Sequence, residues 1–154
     1  MRRIDREINS FNDIVDILKR CATIRIGIKG REFPYVVPVS FCFEIIGNQV
    51  FIYGHGAREG FKNELLEENS NVCIEADIFH GIEKTDHGIT TKYESVIGFG
   101  KYELIILTDD KIRILKLMTE RYGYSNYPLS RCRGLELANV FRISVNNLTG
   151  KCNL

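Results

Sequence analysis

The chain has 154 residues, of which 44% are hydrophobic and 27% charged, a composition typical of one soluble globular domain with a single core. Its formal net charge of +1 gives no electrostatic argument for a nucleic-acid partner, and no apolar stretch approaches the ~20 residues that span a membrane. No apolar run follows the two arginines near the N-terminus, so we expect no signal peptide and a cytoplasmic protein with one domain over residues 1–154.

The five cysteines are widely spaced and form no Cys-x-x-Cys pair. This pattern favours free thiols in a reducing compartment over a disulfide framework. Cys42 and Cys73 lie in apolar segments and are expected in the core. The spacing of Cys73, His80 and His87 matches no compact zinc-ligand pattern, and we predict no metal site.

The first third of the chain predicts a helix followed by three strands. The segment FNDIVDILKRC, with Ser10 or Asn12 as its N-cap, carries its apolar residues on one helical face. ATIRIGI alternates as a half-buried strand does. PYVVPVSFCFEI predicts one long strand, and Pro38 removes a ladder donor, which places this strand at a sheet edge or at a bulge. IGNQ then predicts a hairpin turn before the strand VFIY.

The rest of the chain predicts a helix near residues 59–68, the strand VCIEADIF and an irregular excursion over residues 79–90. KYESVIGFGKYELIIL predicts a long strand whose two glycines indicate a bend or a bulge. Thr108 or Asp109 is expected to cap the helix DKIRILKLMTERYG. YSNYPLSRCRGLELA predicts loops with a short helix, and NVFRISVNNLTG a closing strand. Because strands joined by short turns dominate, we predict a mainly β fold, an antiparallel barrel with flanking helices.

A glycine-rich loop is predicted between a strand and a helix in FIYGHGAREGFKNELLEENSNVCIEAD. Gly54, Gly56 and Gly60 resemble the dinucleotide-binding fingerprint, but they are spaced one residue too wide, and the strands before them form a hairpin rather than a βαβ unit. A phosphate site is still expected, because a helix N-terminus attracts anions and Lys62 in the first turn otherwise opposes the helix dipole. The alternative is that Lys62 is a solvated surface lysine.

Three segments in order carry a family resemblance: PYVVPVSFCFE, then IYGHGAREGFKNELLEENSNVCIEAD, then YESVIGFGK. They resemble the FMN-binding split-barrel superfamily, the fold of pyridoxamine 5'-phosphate oxidase. The opening MRRIDREI and the closing LTGK resemble its nitroimidazole-resistance branch. The resemblance implies an antiparallel split β-barrel that binds FMN, and a homodimer with the flavin in a cleft between the subunits.

The resemblance also implies site residues. The strand whose backbone runs beside the flavin ring is matched by Val37, Pro38, Val39, Ser40 and Phe41. Lys62 matches the lysine that holds the FMN phosphate, and His55 matches a histidine near the flavin in the nitroimidazole-resistance branch. Ser95, with Val96 beside it, matches a polar residue that contacts the flavin or its chain.

Two departures from the oxidase pattern argue against pyridoxamine 5'-phosphate oxidation. Phe61 replaces an arginine before the phosphate lysine, and Glu94 with Ser95 replaces an arginine and a glutamine. We therefore expect an FMN-dependent oxidoreductase that reduces small nitroaromatic compounds, with His55 as a proton donor, since histidine titrates near neutrality. A flavin-binding module without turnover and a haem-binding protein are the open alternatives. We expect neither a nucleic acid nor a membrane as partner.

Overall fold

The structure, a computed structural model, describes residues 3–129 and 138–154. Its helices are α1 (Phe11–Arg20), α2 (Phe61–Glu68) and α3 (Thr108–Arg121). Its strands are β1 (Glu7–Ile8), β2 (Thr23–Ile28), β3 (Tyr35–Ser40), β4 (Cys42–Ile46), β5 (Gln49–Ala57), β6 (Asn71–Thr85), β7 (Gly88–Leu104) and β8 (Ala138–Asn153). Of the loops and short helix predicted over residues 124–138, residues 130–137 lie outside the described part. In the part described, no helix has the length and apolar character needed to cross a membrane.

The strands form one antiparallel sheet, which confirms the predicted fold class. The hydrogen-bonded order is β3-β2-β6-β7-β8-β5-β4, and β1 pairs with β8. The two ends of this order, β3 and β4, are consecutive in the chain and are separated only by Phe41. The sheet therefore curls until its edges approach each other. β3 is an edge strand, as Pro38 requires.

The interior is filled by alternate residues of the strands. In β2, Ile24, Ile26 and Ile28 are at most 2% exposed, and the residues between them face outward. The apolar face of α1 joins the same core. This helix is capped by Ser10, whose Oγ accepts a hydrogen bond from the N–H of Asp13. On the other side of the sheet, α3 packs against β4, β5 and β8 in a second apolar cluster.

Residues 79–90 are regular structure, so the predicted irregular excursion is wrong. β6 and β7 pair continuously from Asn71 with Lys101 to Thr85 with Gly88, and residues 79–90 form the end of this long hairpin. A bulge after Phe79 shifts the register. These strands show no clear sequence pattern. Both faces of a two-stranded ribbon are exposed to solvent, so the alternation of apolar and polar residues is absent.

The long strand predicted over PYVVPVSFCFEI is in fact two strands, interrupted at Phe41. The hydroxyl of Tyr122, just beyond α3, explains the interruption. It accepts a hydrogen bond from the Phe41 N–H at 2.9 Å and donates one to the Ala22 carbonyl at 2.6 Å. Phe41 itself is buried beneath the guanidinium of Arg121, 4.4 Å from its ring centroid.

In the second half of the chain, the predicted helix cap is wrong and the predicted strand irregularity is confirmed. The predicted cap of α3 is wrong: the N-cap position is Leu107, and no side chain there accepts a capping hydrogen bond. Asp109 and Asp110 instead lie in the first turn, where the helix dipole favours carboxylates. The irregularity predicted for the glycine-containing strand is confirmed as a register shift between Phe99 and Gly100 in the pairing with β8.

Candidate functional site

A cleft of about 460 Å³ opens where the edge strand β3 faces β5 and the start of α2. Its lining consists of Val37, Pro38, Val39, Ser40, His55 and Lys62. The fold therefore brings together six of the predicted site residues from three separate elements. A cleft of this size, with apolar strand residues and two convergent basic side chains, has the features of a small-molecule site.

The glycines on the β5 side do not form the predicted loop, because β5 continues through Ala57. Gly54 and Gly56 are strand residues on the same face of β5 as the buried Val50 and Ile52. A Cβ at Gly54 would clash with the ring of Phe141, and one at Gly56 would lie 2.8 Å from Nζ of Lys62. Gly60, with φ of 127°, precedes α2 as its N-cap. Gly56 thus leaves room for the lysine ammonium against the strand.

Lys62 is the cation of the cleft. It is the second residue of α2, and its Nζ lies 5.7 Å from the centroid of the Phe141 ring. Partial burial lowers the pKa of Lys62 below its usual value. In the described part of the chain the lysine ion pairs involve Lys92 and Lys116, and none involves Lys62. A desolvated cation at the positive end of a helix is electrostatically unfavourable, and a bound anion would relieve both effects.

His55 is exposed on the wall of the same cleft. Its pKa is lowered, first by desolvation and then by the charge of Lys62. A lowered pKa favours the neutral imidazole, in which one ring nitrogen is a donor and the other an acceptor. The expected role as proton donor is thus less favourable in the free protein than an unperturbed pKa would suggest. An anion paired with Lys62 would offset the second of the two causes.

Three predicted site residues do not line this cleft: Phe41, Ser95 and Val96. The side chains of Phe41 and Val96 are fully buried in the core. Ser95 is half-buried on the outward face of β7, where its register partners are Asp77 and Lys151. Within one chain, the structure does not unite Ser95 with His55 and Lys62.

Phe61, the first departure from the oxidase pattern, has a packing role. Its ring meets that of Tyr35 edge-on, with 5.2 Å between the centroids. The guanidinium of Arg31 lies 5.9 Å from the Phe61 centroid and is held by Glu68 at 2.6 Å. Phe61 therefore anchors the start of α2 to β3, and so helps to hold the two walls of the cleft together.

Glu94, part of the second departure from the oxidase pattern, belongs to a cluster with Arg20 and His80 that the sequence did not predict. Its two carboxylate oxygens accept hydrogen bonds from Arg20 at 2.7 Å each, and Oε2 lies 2.7 Å from Nε2 of His80. Arg20 is the main cause that holds the pKa of Glu94 at about 2. The sequence did contain a signal for this cluster. Glu94 occupies an inward position in an apolar strand, where a buried carboxylate needs a partner.

No group of three or more His, Cys, Asp or Glu side chains within residues 3–129 and 138–154 could hold a metal ion. His80, considered above with Cys73 and His87, instead faces Glu94.

The fold and the cleft together define a split barrel with a basic cleft between its edge strand and a helix start. The model of the pyridoxamine 5'-phosphate oxidase family matches residues 11–152. The chain belongs to this family, whose members bind flavins.

Solved structures show the same fold. A protein from Bacteroides thetaiotaomicron, described as a candidate 5-nitroimidazole antibiotic resistance protein, is 28% identical with a TM-score of 0.84, over 94% of this chain and 85% of that one. It confirms the branch expected from the sequence. The flavocytochrome Anf3 from Azotobacter vinelandii (19% identity, TM-score 0.83, 100% and 72% coverage) shares the fold. A FAD and haem binding protein from Mycobacterium smegmatis also shares the fold, with 17% identity and a TM-score of 0.80 over 96% of this chain and 73% of that one. Comparison with the curated proteins gives no match.

Proposed function

We propose that this protein is an FMN-dependent oxidoreductase that reduces small nitroaromatic compounds. The observation that carries the cofactor assignment is Lys62, a partly buried ammonium at the start of α2 with no carboxylate partner in the described chain. A flavin phosphate would pair with this ammonium and with the positive end of the helix. The substrate class is supported by the likeness to the candidate 5-nitroimidazole resistance protein.

The edge strand β3 would hold the flavin ring. Among the described strands β3 pairs only with β2, so alternate N–H and C=O groups along it point away from the sheet without a partner in those strands. Residues 37–40 line the cleft, so these groups can bind the polar edge of the ring. A bound flavin supplies the redox chemistry, and the protein supplies position and a dry surface. His55 would donate a proton from one of its own ring nitrogens beside the flavin.

We also propose that two copies form the working unit. Register partners place Val36, Gly27, Cys73 and Phe99 in one row across the outer face of the sheet. In this row Val36 is 57% and Phe99 55% exposed. The next row runs from Pro38 of the cleft through the Arg25–Glu75 ion pair to Ile97. A second copy over this face would cover apolar surface and complete the cleft. It would also bring its own Ser95, which lies on this face, towards the flavin.

The test is flavin retention by a Lys62→Met variant. Losing a charge-assisted bond worth about 1.5–3 kcal/mol should weaken FMN binding on the order of 10- to 150-fold. Titration and the retained absorbance near ~450 nm after desalting measure this. Lys19→Met, an exposed position on α1, is the control and should bind as the parent does. Equal affinity of both variants would contradict the phosphate assignment.

Turnover separates the enzyme from its alternatives. The loaded protein should reduce a nitroimidazole with a reduced nicotinamide as electron donor, and His55→Ala should slow this step while flavin stays bound. Bound flavin without turnover would favour the binding module, and a Soret band on titration with haem would favour the haem reading. Sedimentation that shows a monomer with tightly bound FMN would contradict the dimer. The cytoplasmic location stays a prediction from the sequence.

A further inference from the structure

We propose that the end of the β6–β7 hairpin is an arm that closes the flavin cleft of a second copy of the chain. The arm comprises residues 79–91, over which β6 and β7 pair with each other and with no other described strand. This inference rests on the proposed flavin function and dimer, and it names the segment that would reach the cleft of the other copy.

The bulge after Phe79 places the apolar side chains of the arm on one face. It adds one residue to β6, His80, which has no register partner in β7. Because side chains alternate along a strand, this extra residue brings Ile82 onto the same face as Phe79, where Ile89 of β7 also lies. Phe79, Ile82 and Ile89 are 64%, 66% and 76% exposed. The face continues the outer face of the sheet, so the arm extends the apolar surface of the proposed dimer.

The outer face of the sheet is self-complementary about a two-fold axis that runs along the strands between β2 and β6. In the row from Val36 to Phe99, the two exposed apolar residues stand at the ends, on β3 and β7. The axis places Phe99 of each copy over Val36 of the other. In the next row it places the Arg25–Glu75 ion pair over the same pair in reverse order, so that opposite charges face each other.

The same axis sets the position of the arm. Two residues further along each strand, it places Ser95 of each copy over Ser40 of the other, at the end of β3 and in the lining of the cleft. Within one chain these two residues are three strand spacings apart, about 14 Å. Tyr93 and Phe79 come next along β7 and β6. The arm therefore begins where β3 of the second copy ends, at the Ser40 side of its cleft.

The surface beyond Ser40 is suited to an apolar arm. The hydroxyl of Tyr122 bonds the Phe41 N–H and the Ala22 carbonyl, which lie just after β3 and just before β2. The Tyr122 ring, 37% exposed, is therefore fixed where the arm would arrive. Aromatic rings pack well against apolar side chains such as those of the arm. An arm held there would exclude water from the Ser40 end of the cleft and so strengthen the polar contacts of a flavin bound in it.

Titration of arm variants with FMN tests the inference without turnover. Ile82→Glu puts a carboxylate on the apolar face of the arm, where contact with the second copy would leave it buried and unpaired. It should weaken FMN binding at least about tenfold, although Ile82 lies outside the cleft of its own chain. Ile89→Glu, on the same face, is a second variant and should show the same loss. Glu83→Lys is the matched control: Glu83 lies on the opposite face, paired with Lys92 at 2.8 Å, and this variant should bind FMN as the parent does.

A mixed dimer separates action on the second copy from action within one chain. One copy carries Lys62→Met and the other Ile82→Glu, with different affinity tags for purification. If each arm closes the cleft of the other copy, the copy with Ile82→Glu keeps its own Lys62 and is covered by an intact arm. The mixed dimer should then bind one FMN with the affinity of the parent, whereas arms that act on their own clefts would leave no such site.

The outcomes are distinguishable. Parent-like affinity in both arm variants, or a mixed dimer without a parent-like site, would overturn the arm and leave the flavin function standing. A parent protein that binds no FMN would overturn the proposed function, and one that binds FMN tightly as a monomer would overturn the dimer; this inference would fall in either case. Weakened binding in the arm variants together with one parent-like site in the mixed dimer supports the arm.

Discussion

Replacing Glu94 by glutamine tests the cluster that ties α1 to β6 and β7. The Glu94 side chain is only 11% exposed and receives two hydrogen bonds of 2.7 Å from Arg20. Its pKa falls from 4.5 to about 2 in the folded protein. A difference of this size corresponds on the order of 3 kcal/mol of folding free energy at neutral pH. Glu94→Gln should therefore lower the melting temperature at pH 7 by about 6–12 °C.

The stabilisation by the ionised Glu94 carboxylate depends on pH in a defined direction. Because the folded-state pKa is lowered, the stabilisation is fully present above pH 4.5 and is lost as the pH falls towards about 2. The gap in melting temperature between the parent and Glu94→Gln should therefore shrink to less than half at about pH 3. Thermal unfolding followed by circular dichroism at both pH values measures it.

Glu44→Gln is the matched control. Glu44 also accepts two hydrogen bonds from one arginine, Arg113, at 2.8 Å each, but its side chain is 30% exposed. Ion pairs near the surface are worth about 0–1 kcal/mol, so this variant should lose little. Equal losses in the two variants, or a Glu94→Gln gap that does not change with pH, would refute the reasoning. Flavin affinity should be unchanged in both, since neither carboxylate lines the cleft.

Three further predictions concern the framework of the site. Gly54→Ala should cost more than about 2 kcal/mol in chemical denaturation, because its Cβ would clash with the buried Phe141 ring, whereas Gly27→Ala meets ordinary contacts at 3.5 Å and should not. Tyr122→Phe should cost about 1–3 kcal/mol by freeing the Phe41 N–H and the Ala22 carbonyl, and Tyr124→Phe, at a 66% exposed ring, much less. Phe99→Glu should give monomers in sedimentation and weakened flavin binding in titration, whereas Ile46→Glu, at a 65% exposed side chain on β4, should change neither. An intact dimer of Phe99→Glu would refute the interface.

The sequence predicts most of the fold because most strands have one buried face. β2 shows this directly, with three isoleucines inside and three other residues outside. The prediction fails where that asymmetry disappears, as in residues 79–90 at the end of the hairpin. It also fails at Phe41, because the hydroxyl that interrupts the strand there belongs to Tyr122, 81 residues along the chain. No local pattern carries that information.

The residues of the site, like the strands, could be predicted from the sequence only in part. Lys62 could be found from its place in the first turn of a helix, and His55 from a family likeness. The partners of Glu94 could not be found, because Arg20 is 74 residues away and His80 lies beside a bulge. The loop predicted from the glycines is wrong for a physical reason. Gly54 and Gly56 resemble a phosphate loop, but small residues are needed there within a strand, to admit the ring of Phe141 and the ammonium of Lys62.

The interruption at Phe41 also explains why a cleft exists at all. Residues 35–46 form two strands at opposite ends of the strand order, so that β3 pairs with β2 and β4 with β5. Tyr122 binds the Phe41 N–H, the chain turns into β4, and β3 remains an edge strand beside β5 and α2. Residues 37–40 of β3 and the partly buried ammonium of Lys62 then line one cleft. The proposed flavin, with a polar ring edge and a phosphate, would satisfy both.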